Sequence, residues 1–415
     1  MRILWFTNTP SNYNTKKLGY NGGGWISSLE NEIKKHDQVE LAICFHLNEE
    51  QFKVCKNGII YYPIAIKESK LNNIFSTFSD KYFQKEDDVK LHKYLNVIND
   101  FKPDIINIFG TESSFGLISQ HVKIPIIVHI QGILTPCLNA YFPPRYSYIS
   151  HLLEKKNPIS IIKQYRILKF WKYRVKREQE ILSRIPYFMG RTEWDKRIVS
   201  IYSPKSKYFH CNEILRDSFY HTSDKIENSS NKLIITSTIS SPLYKGFDTI
   251  LQAASILKKN LRMDFEWNIF GVNTITQHEK KFKIKAKECN IHIRGIVSAN
   301  EICQKIQEST IYVHPSYIDN SPNSICEAQM LGCPVIATNV GGIPSLIDNG
   351  VDGILIPAND PYQMAYLIKQ LFENKELQIR IKKNAKERAN SRHDKSTIVN
   401  QLLNIYDFII NNSNQ

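Results

Sequence analysis

Short runs rich in β-branched residues alternate with stretches of helical periodicity along most of this chain, and that alternation admits few folds. Strand candidates in the first half are Ile3–Phe6, Glu40–Phe45, Ile59–Tyr62, Ile105–Phe109 and Ile126–Ile130. Trp25, Ile26, Leu29 and Ile33 follow the i, i+3, i+4 spacing of an amphipathic helix, which starts after Gly22-Gly23-Gly24. The pattern restarts near residue 230, with strands expected at Leu233–Thr236, Phe265–Phe270, Ile291–Ile293, Ile311–His314, Val335–Thr338 and Ile354–Ile356. Helices such as Phe247–Lys258 and Glu301–Glu308 fall between them. Strands separated by helices predict parallel sheets with crossover connections. The expected class is α/β, with two Rossmann-like, doubly wound domains facing across a cleft.

At roughly 150 residues per domain, a length of 415 residues suggests two or three domains, and the repeated pattern favours two. Residues 1–205 read as the first and 206–395 as the second, with the helical tail 396–415 crossing back onto the first. Hydrophobic residues make up 42% and charged residues 23%, which excludes disordered and fibrous classes. No run approaches the roughly 20 apolar residues of a membrane span, and MRILWFTNTP reads as lacking a signal peptide. Eight cysteines form no C-x-x-C pair, so a reducing cytoplasm is expected, with neither disulfides nor a zinc site. The net charge of +14 suits nucleic acid, an anionic membrane or a phosphorylated substrate, and is also what a Lys-rich composition gives.

The segment His314–Gly332, HPSYIDNSPNSICEAQMLG, carries the most chemistry. Ser321 suits a helix N-cap and Pro322 the first helical position, with Gly332 as terminator. The N–H groups of Asn323, Ser324 and Ile325 would then point outward unpaired, as at an anion site. Glu327, five residues past Pro322, lies about 7 Å along the axis from it, roughly the distance from a diphosphate to its ribose. A vicinal diol offers its carboxylate two donors; a salt-bridged or solvated Glu is the alternative. Asp319 follows the strand Ile311–His314 at its carboxyl end, where open α/β sheets bind ligands; it is equally the residue of a turn.

These residues resemble the E-x7-E signature of the retaining GT-B glycosyltransferases of family 4, with Asp319 replacing the first Glu and Glu327 as the second. Gly332-Cys333-Pro334-Val335-Ile336-Ala337-Thr338, Val340-Gly341-Gly342-Ile343-Pro344 and the run Asp348–Ile356 are similar to the same family, as is Tyr244-Lys245-Gly246-Phe247-Asp248. The first half matches more loosely, at Gly22-Gly23-Gly24, at Phe109-Gly110-Thr111-Glu112 and at Gly190-Arg191-Thr192-Glu193-Trp194-Asp195.

The resemblance implies a nucleoside-diphosphate-sugar donor, UDP-sugar first and GDP-mannose second, and a glycan or lipid-linked glycan acceptor in capsular or exopolysaccharide synthesis. It assigns Lys245 to the diphosphate, and Asp319 with Asn320 and Ser321 to the donor sugar. Ser324 and Ile325 go to phosphate, Glu327 to ribose, and the loop from Arg294 to Ile296 to the base. Lys245, Asp319 and Glu327 would be the catalytic set. Gly23, Gly24, Glu112, His129, Gln131 and Arg191 fall on the acceptor side. Transfer would retain configuration by front-face attack. No D-x-D triplet is present, and neither a metal nor another cofactor is expected.

Three departures stand out. The Arg the family often carries before its Lys is missing from Thr238-Ile239-Ser240-Ser241-Pro242, so either another residue supplies that charge to the diphosphate or affinity falls. The family's first-domain His is Gln131; His129, two residues earlier on the same strand face, is either its substitute or a buried structural histidine. Asp319 is one methylene short. A sugar-nucleotide epimerase of the same fold and a degenerate scaffold subunit are the alternatives; a nucleic-acid binder or dinucleotide oxidoreductase lacks its motifs.

The stretch Ile149–Arg184 is helical, basic and aromatic. Lys155, Lys156, Lys163, Arg166, Lys169, Lys172, Arg174, Lys176 and Arg177 interleave with Tyr165, Phe170, Trp171 and Tyr173. It predicts a cytoplasmic protein binding the inner face of the cell membrane peripherally and weakly, or else an ordinary solvated helix pair.

Overall fold

The computed structural model describes residues 1–13, 24–48, 52–65, 79–153, 157–221, 232–240 and 243–413. Gly22, Gly23, Lys155, Lys156, Ser241 and Pro242, all singled out above, lie outside the described residues.

The chain divides into two compact units. The first comprises Met1–Asn139, Tyr146–Ile214 and Lys395–Gln415; the second comprises Ala140–Arg145 and Leu215–Asp394. The chain therefore changes unit at Ile214/Leu215 rather than at 205/206, because one more strand of the first sheet follows residue 205. The segment Ala140–Arg145 also differs from expectation and belongs to the second unit, where the Arg145 guanidinium lies 5.4 Å from the centre of the Phe282 ring.

The first sheet contains β1 (Arg2–Thr7), β2 (Glu40–Leu47), β3 (Val54–Lys56), β4 (Ile59–Ala65), β5 (Ile105–Phe109), β6 (Ile126–His129), β7 (Tyr187–Gly190) and β8 (Lys207–His210), in the order β3-β4-β2-β1-β5-β6-β7-β8. Every pair is parallel except the edge pair β3 and β4. Its order reverses between β1 and β5. β5 is buried along its whole length, as a central parallel strand covered on both faces must be. The strands β7 and β8 were not legible beforehand: each is four residues long, and β8 (Lys-Tyr-Phe-His) is polar at both ends.

The second sheet contains β9 (Leu233–Thr238), β10 (Phe265–Phe270), β11 (Ile291–Gly295), β12 (Ile311–His314), β13 (Val335–Thr338) and β14 (Ile354–Ile356), in the order β11-β10-β9-β12-β13-β14 and parallel throughout. Counted from β9, that is the 3-2-1-4-5-6 order of a dinucleotide-type fold. Alternation builds two cores from one sheet. Ile311, Val313 and Ile336 join the cluster on one face, while Tyr312, Val335 and Ala337 join the cluster on the other.

The C-terminal helix Lys395–Ser413 belongs to the first unit. The buried Tyr406 hydroxyl accepts from Trp5 Nε1 at 3.2 Å and from Asn107 Nδ2 at 2.7 Å, linking that helix to β1 and β5. Among the described residues no helix is long and apolar enough to cross a membrane.

Candidate active site

In the second sheet the strand order reverses between β9 and β12, and the carboxyl ends of the strands at such a reversal are where open α/β sheets have their ligand crevice. The loop after β9 ends in a 3-10 turn, Leu243–Lys245, followed by Gly246 and the helix Phe247–Lys259. The loop after β12 runs to the helix Asn323–Met330. Backbone holds the two loops together: Tyr317 N–H donates to the Tyr244 carbonyl at 2.7 Å. Gly246 has φ of +77°, and a Cβ there would sit 2.0 Å from the Pro315 carbonyl oxygen. Only glycine permits both the left-handed turn and this approach.

The consequence is an ion pair between residues 74 apart in sequence: Lys245 Nζ donates to Asp319 Oδ2 at 2.7 Å. His314 Nε2 lies 3.0 Å and Ser316 Oγ 3.2 Å from the same oxygen. Burial by itself would raise the Asp319 pKa, but the Lys245 charge and the His314 hydrogen bond hold it well below the usual carboxylate range. Asp319 is thus a fixed anion at neutral pH. Its backbone is set from below by the Gly341-Gly342 turn: Gly342 N–H donates to the Asp319 carbonyl at 3.0 Å, and a Cβ on Gly341 would come within 1.9 Å of that oxygen.

The helix Asn323–Met330 begins differently from expectation. Pro322, not Ser321, occupies the N-cap, and no side chain caps the start. Ile325 N–H is already satisfied by the Pro322 carbonyl at 3.1 Å, leaving Asn323 and Ser324 to present their N–H groups at the helix start. Asn320 and Ser321 are buried in the loop beside it. Glu327 follows one turn after Ser324 and is buried, with both carboxylate oxygens taken by one guanidinium: Arg216 Nε reaches Oε1 at 2.7 Å and Nη2 reaches Oε2 at 2.8 Å. Sequence reading missed Arg216. It sits 111 residues away, just past the change of unit, with no motif around it; the only signal was that a buried carboxylate needs a donor.

Asp248 closes the other side of the Lys245 turn. Its Oδ2 accepts from the Tyr317 hydroxyl at 2.7 Å, and burial pushes its carboxyl up to about 6 despite that bond. Arg294 is not brought to the crevice. Its guanidinium turns back along β10 to Asn268 Oδ1 at 2.6 Å and Glu266 Oε1 at 2.9 Å, while Ile296 beyond it is exposed.

The acceptor-side candidates gather at the carboxyl ends of the first sheet. Glu112 follows β5, where the order of that sheet reverses. Asn8, following β1, donates to Glu112 Oε2 at 3.3 Å, and burial raises the Glu112 pKa. Its backbone carbonyl accepts from Arg174 Nε and Nη2, at 3.1 and 3.0 Å, and from Arg177 Nη2 at 2.7 Å. Gly24 opens the helix Gly24–Ile33.

His129 does not stand in for the missing histidine. Its side chain is 1% exposed and packs against Trp25 and Phe109, with ring centroids 5.4 and 5.5 Å away. Burial and the Arg191 charge lower its pKa to about 3, so it is a neutral core imidazole. The unforeseen member here is Glu213, also buried. Its carboxylate accepts from Gln131 Nε2 at 3.2 Å and pairs with Arg191 Nη2 at 3.2 Å.

Residues 221–388 match the family model described as Glycosyl transferases group 1. An uncharacterized glycosyltransferase of Methanocaldococcus jannaschii is 27% identical over 143 residues, covering 34% of this chain and 39% of that protein. The N,N'-diacetylbacillosaminyl-diphospho-undecaprenol alpha-1,3-N-acetylgalactosaminyltransferase of Campylobacter jejuni is 28% identical over 122 residues, covering 29% and 32%. The matched segments thus span less than half of these relatives. Among solved structures, the sucrose-phosphate synthase of Thermosynechococcus elongatus superposes with a TM-score of 0.74 at 13% identity over 98% of both chains. The Anabaena protein HepE, in complex with UDP and glucose, gives 0.67 at 14% identity over 98% and 99%. At such identities the likeness shows the fold, which is GT-B with its two Rossmann-like domains.

Proposed function

We propose that this chain is a retaining glycosyltransferase of family 4 that moves a sugar from a nucleoside-diphosphate-sugar to a glycan or lipid-linked glycan acceptor. The observation that carries the reading is the convergence of Lys245 and Asp319 at the β9/β12 reversal, beside a helix start with no side-chain cap. The group 1 match over 221–388 covers the same residues. A UDP-sugar is the preferred donor, a choice supported by the UDP complex of HepE. A lipid-linked acceptor is supported by the diphospho-undecaprenol in the name of the Campylobacter relative, and the reading assigns the product to surface polysaccharide.

In this mechanism the Asn323 and Ser324 N–H groups and the Lys245 ammonium receive the diphosphate. Asp319, a fixed anion whose Oδ1 takes none of the three contacts to Oδ2, accepts from hydroxyls of the donor sugar. The anomeric C–O bond to the diphosphate breaks as the acceptor oxygen bonds to the same face, and the acceptor proton passes to the departing phosphate oxygen. Products are the glycosylated acceptor and a nucleoside diphosphate. Catalysis is placement plus stabilisation of charge on the leaving group, which needs neither a metal nor another cofactor.

The protein works in the cytoplasm and touches the inner membrane face through the helix Pro158–Leu182, whose exposed side carries Ile159, Ile162, Lys163, Tyr165 and Arg166. A panel of UDP-, GDP- and dTDP-sugars, scored by protection of the purified chain from thermal unfolding, tests the donor. One nucleotide class should protect, with or without a chelator. Failure of every donor to protect, or protection that vanishes with the chelator, overturns the reading or its metal independence respectively. An epimerase would convert the donor with no acceptor present; a scaffold would do neither.

A further inference from the structure

We propose that Arg216 is the second cation of the donor site, supplying the diphosphate contact that the loop before Lys245 lacks; the proposal rests on the donor-site reading above. That loop, Thr238-Ile239-Ser240-Ser241-Pro242, contains no basic residue. Lys245 alone faces Asp319, Glu327 and, above about pH 6, Asp248, an excess of negative charge that would repel a diphosphate. Arg216 cancels the Glu327 charge, and the N–H groups of the helix start add their partial positive charge to that of Lys245.

Its geometry suits the role. The fork on Glu327 uses Nε and Nη2 and leaves Nη1 and further N–H donors of the guanidinium to other partners. The side chain keeps about a third of its exposure while its partner is buried at 6%. Its carbon lies 4.9 Å from the centre of the Phe219 ring, which with the fork restrains the plane. Glu327 is three residues past Ser324, about 4.5 Å along the axis, so the cation is pinned about one turn from the helix start. The carboxylate retains lone pairs beyond the two the fork uses, which a ribose hydroxyl can fill. Glu327 therefore has two duties, holding Arg216 toward phosphate and accepting from ribose.

Calorimetric titration of the full chain with UDP and with uridine separates these duties; GDP and guanosine replace them should the donor panel select guanine. Arg216→Ala should weaken UDP binding about tenfold or more, the scale of a charge-assisted hydrogen bond, and leave uridine within twofold. Arg216→Lys, which keeps the charge without the fork, should fall between and guards against misfolding of the alanine variant. The dependence of UDP affinity on salt should become shallower in Arg216→Ala. Equal weakening of UDP and uridine with an unchanged salt slope would make Arg216 a mere prop for Glu327 and overturn the assignment. So would unchanged or tighter UDP binding. Failure of the wild-type chain to bind any nucleoside diphosphate would instead overturn the donor-site reading, and this assignment with it.

Discussion

Lys245 and Glu327 bear on different stages of the proposed reaction. Negative charge on the diphosphate grows as the glycosidic bond breaks, so an ammonium beside it is worth more in the transition state than in the ground state. Lys245→Ala should lower turnover by roughly 100-fold or more, with a smaller change in donor KM. Ribose is bound alike in both states, so Glu327→Ala should raise donor KM, by the equivalent of about 1.5–3 kcal/mol per lost hydrogen bond, and should lower turnover less than Lys245→Ala does, through the Arg216 it releases. Steady-state kinetics with varied donor would contradict this division if both variants moved KM alone. Asp248 gives a pH-dependent prediction. Its carboxyl is held at about 6 against an ordinary 3.8, so between these values the folded chain keeps a proton the unfolded chain has shed. Stability therefore falls as pH rises through that window, then the penalty stays constant, at about 3 kcal/mol at most. Asp248→Asn should escape it. In urea unfolding its advantage over wild type should widen from pH 4 to pH 6 and then level off; a gap independent of pH would refute this. At this scale the sequence was half legible. Lys245, Asp319 and Glu327 stand in local motifs, whereas Arg216 and Glu213 act on partners 111 and up to 82 residues away, and no local pattern marks such pairs.

Among the elements, the helix Pro158–Leu182 combines two roles that its composition alone blurred. A helix shows one face at a time, so about half of the seven cations between Lys163 and Arg177 can approach lipid, and two are committed inward. Arg177 is buried against Asp87, with Nη1 within 2.9 Å of both carboxylate oxygens, and Arg174 holds the Glu112 carbonyl. Phe170 and Tyr173 pack on Phe83, with ring centroids 5.0 and 5.3 Å away. The C-terminal half of the helix is therefore structural. The N-terminal half is open: Ile159 is 75% and Ile162 42% exposed, beside exposed Lys163 and Arg166, with exposed Lys172 just beyond it. At about 1 kcal/mol per cation near an anionic surface, three or four give weak, reversible binding. Replacing Lys163, Arg166, Lys169 and Lys172 by Gln should abolish sedimentation with anionic liposomes and spare transfer to a soluble acceptor. Equal retention of wild type by neutral vesicles, or retention that high salt does not release, would show that the attraction is not electrostatic. Periodicity revealed the helix and its charge; which cations face inward is decided by Asp87 and Glu112, on other elements.

For the molecule as a whole, the repeated strand–helix alternation was enough to read two parallel-sheet domains, because buried parallel strands must be apolar on both faces. The short strands β7 and β8 and the exact change of unit were not, since four residues carry too little periodicity. The tail was read correctly as helical from its apolar spacing, and its place with the first unit yields the final prediction. The helix Lys395–Ser413 buries Ile398, Val399, Leu402, Leu403, Ile405, Tyr406 and Ile409. At about 1.5–3 kcal/mol per large apolar side chain, even discounted for a compact unfolded state, this burial is comparable with the entire stability of a domain, about 5–15 kcal/mol. Deleting 395–415 should therefore unfold the first unit selectively. Tyr406→Phe is the milder version: it strands the Trp5 and Asn107 donors inside the core, at about 1–3 kcal/mol for each one left unsatisfied. Hydrogen exchange followed by mass spectrometry reads the two units separately. Protection should collapse in β1 and β5 of the truncated chain and persist in β9, β12 and β13. Loss confined to the second sheet, or no loss in either, would mean that the helix contributes nothing to the unit it packs on.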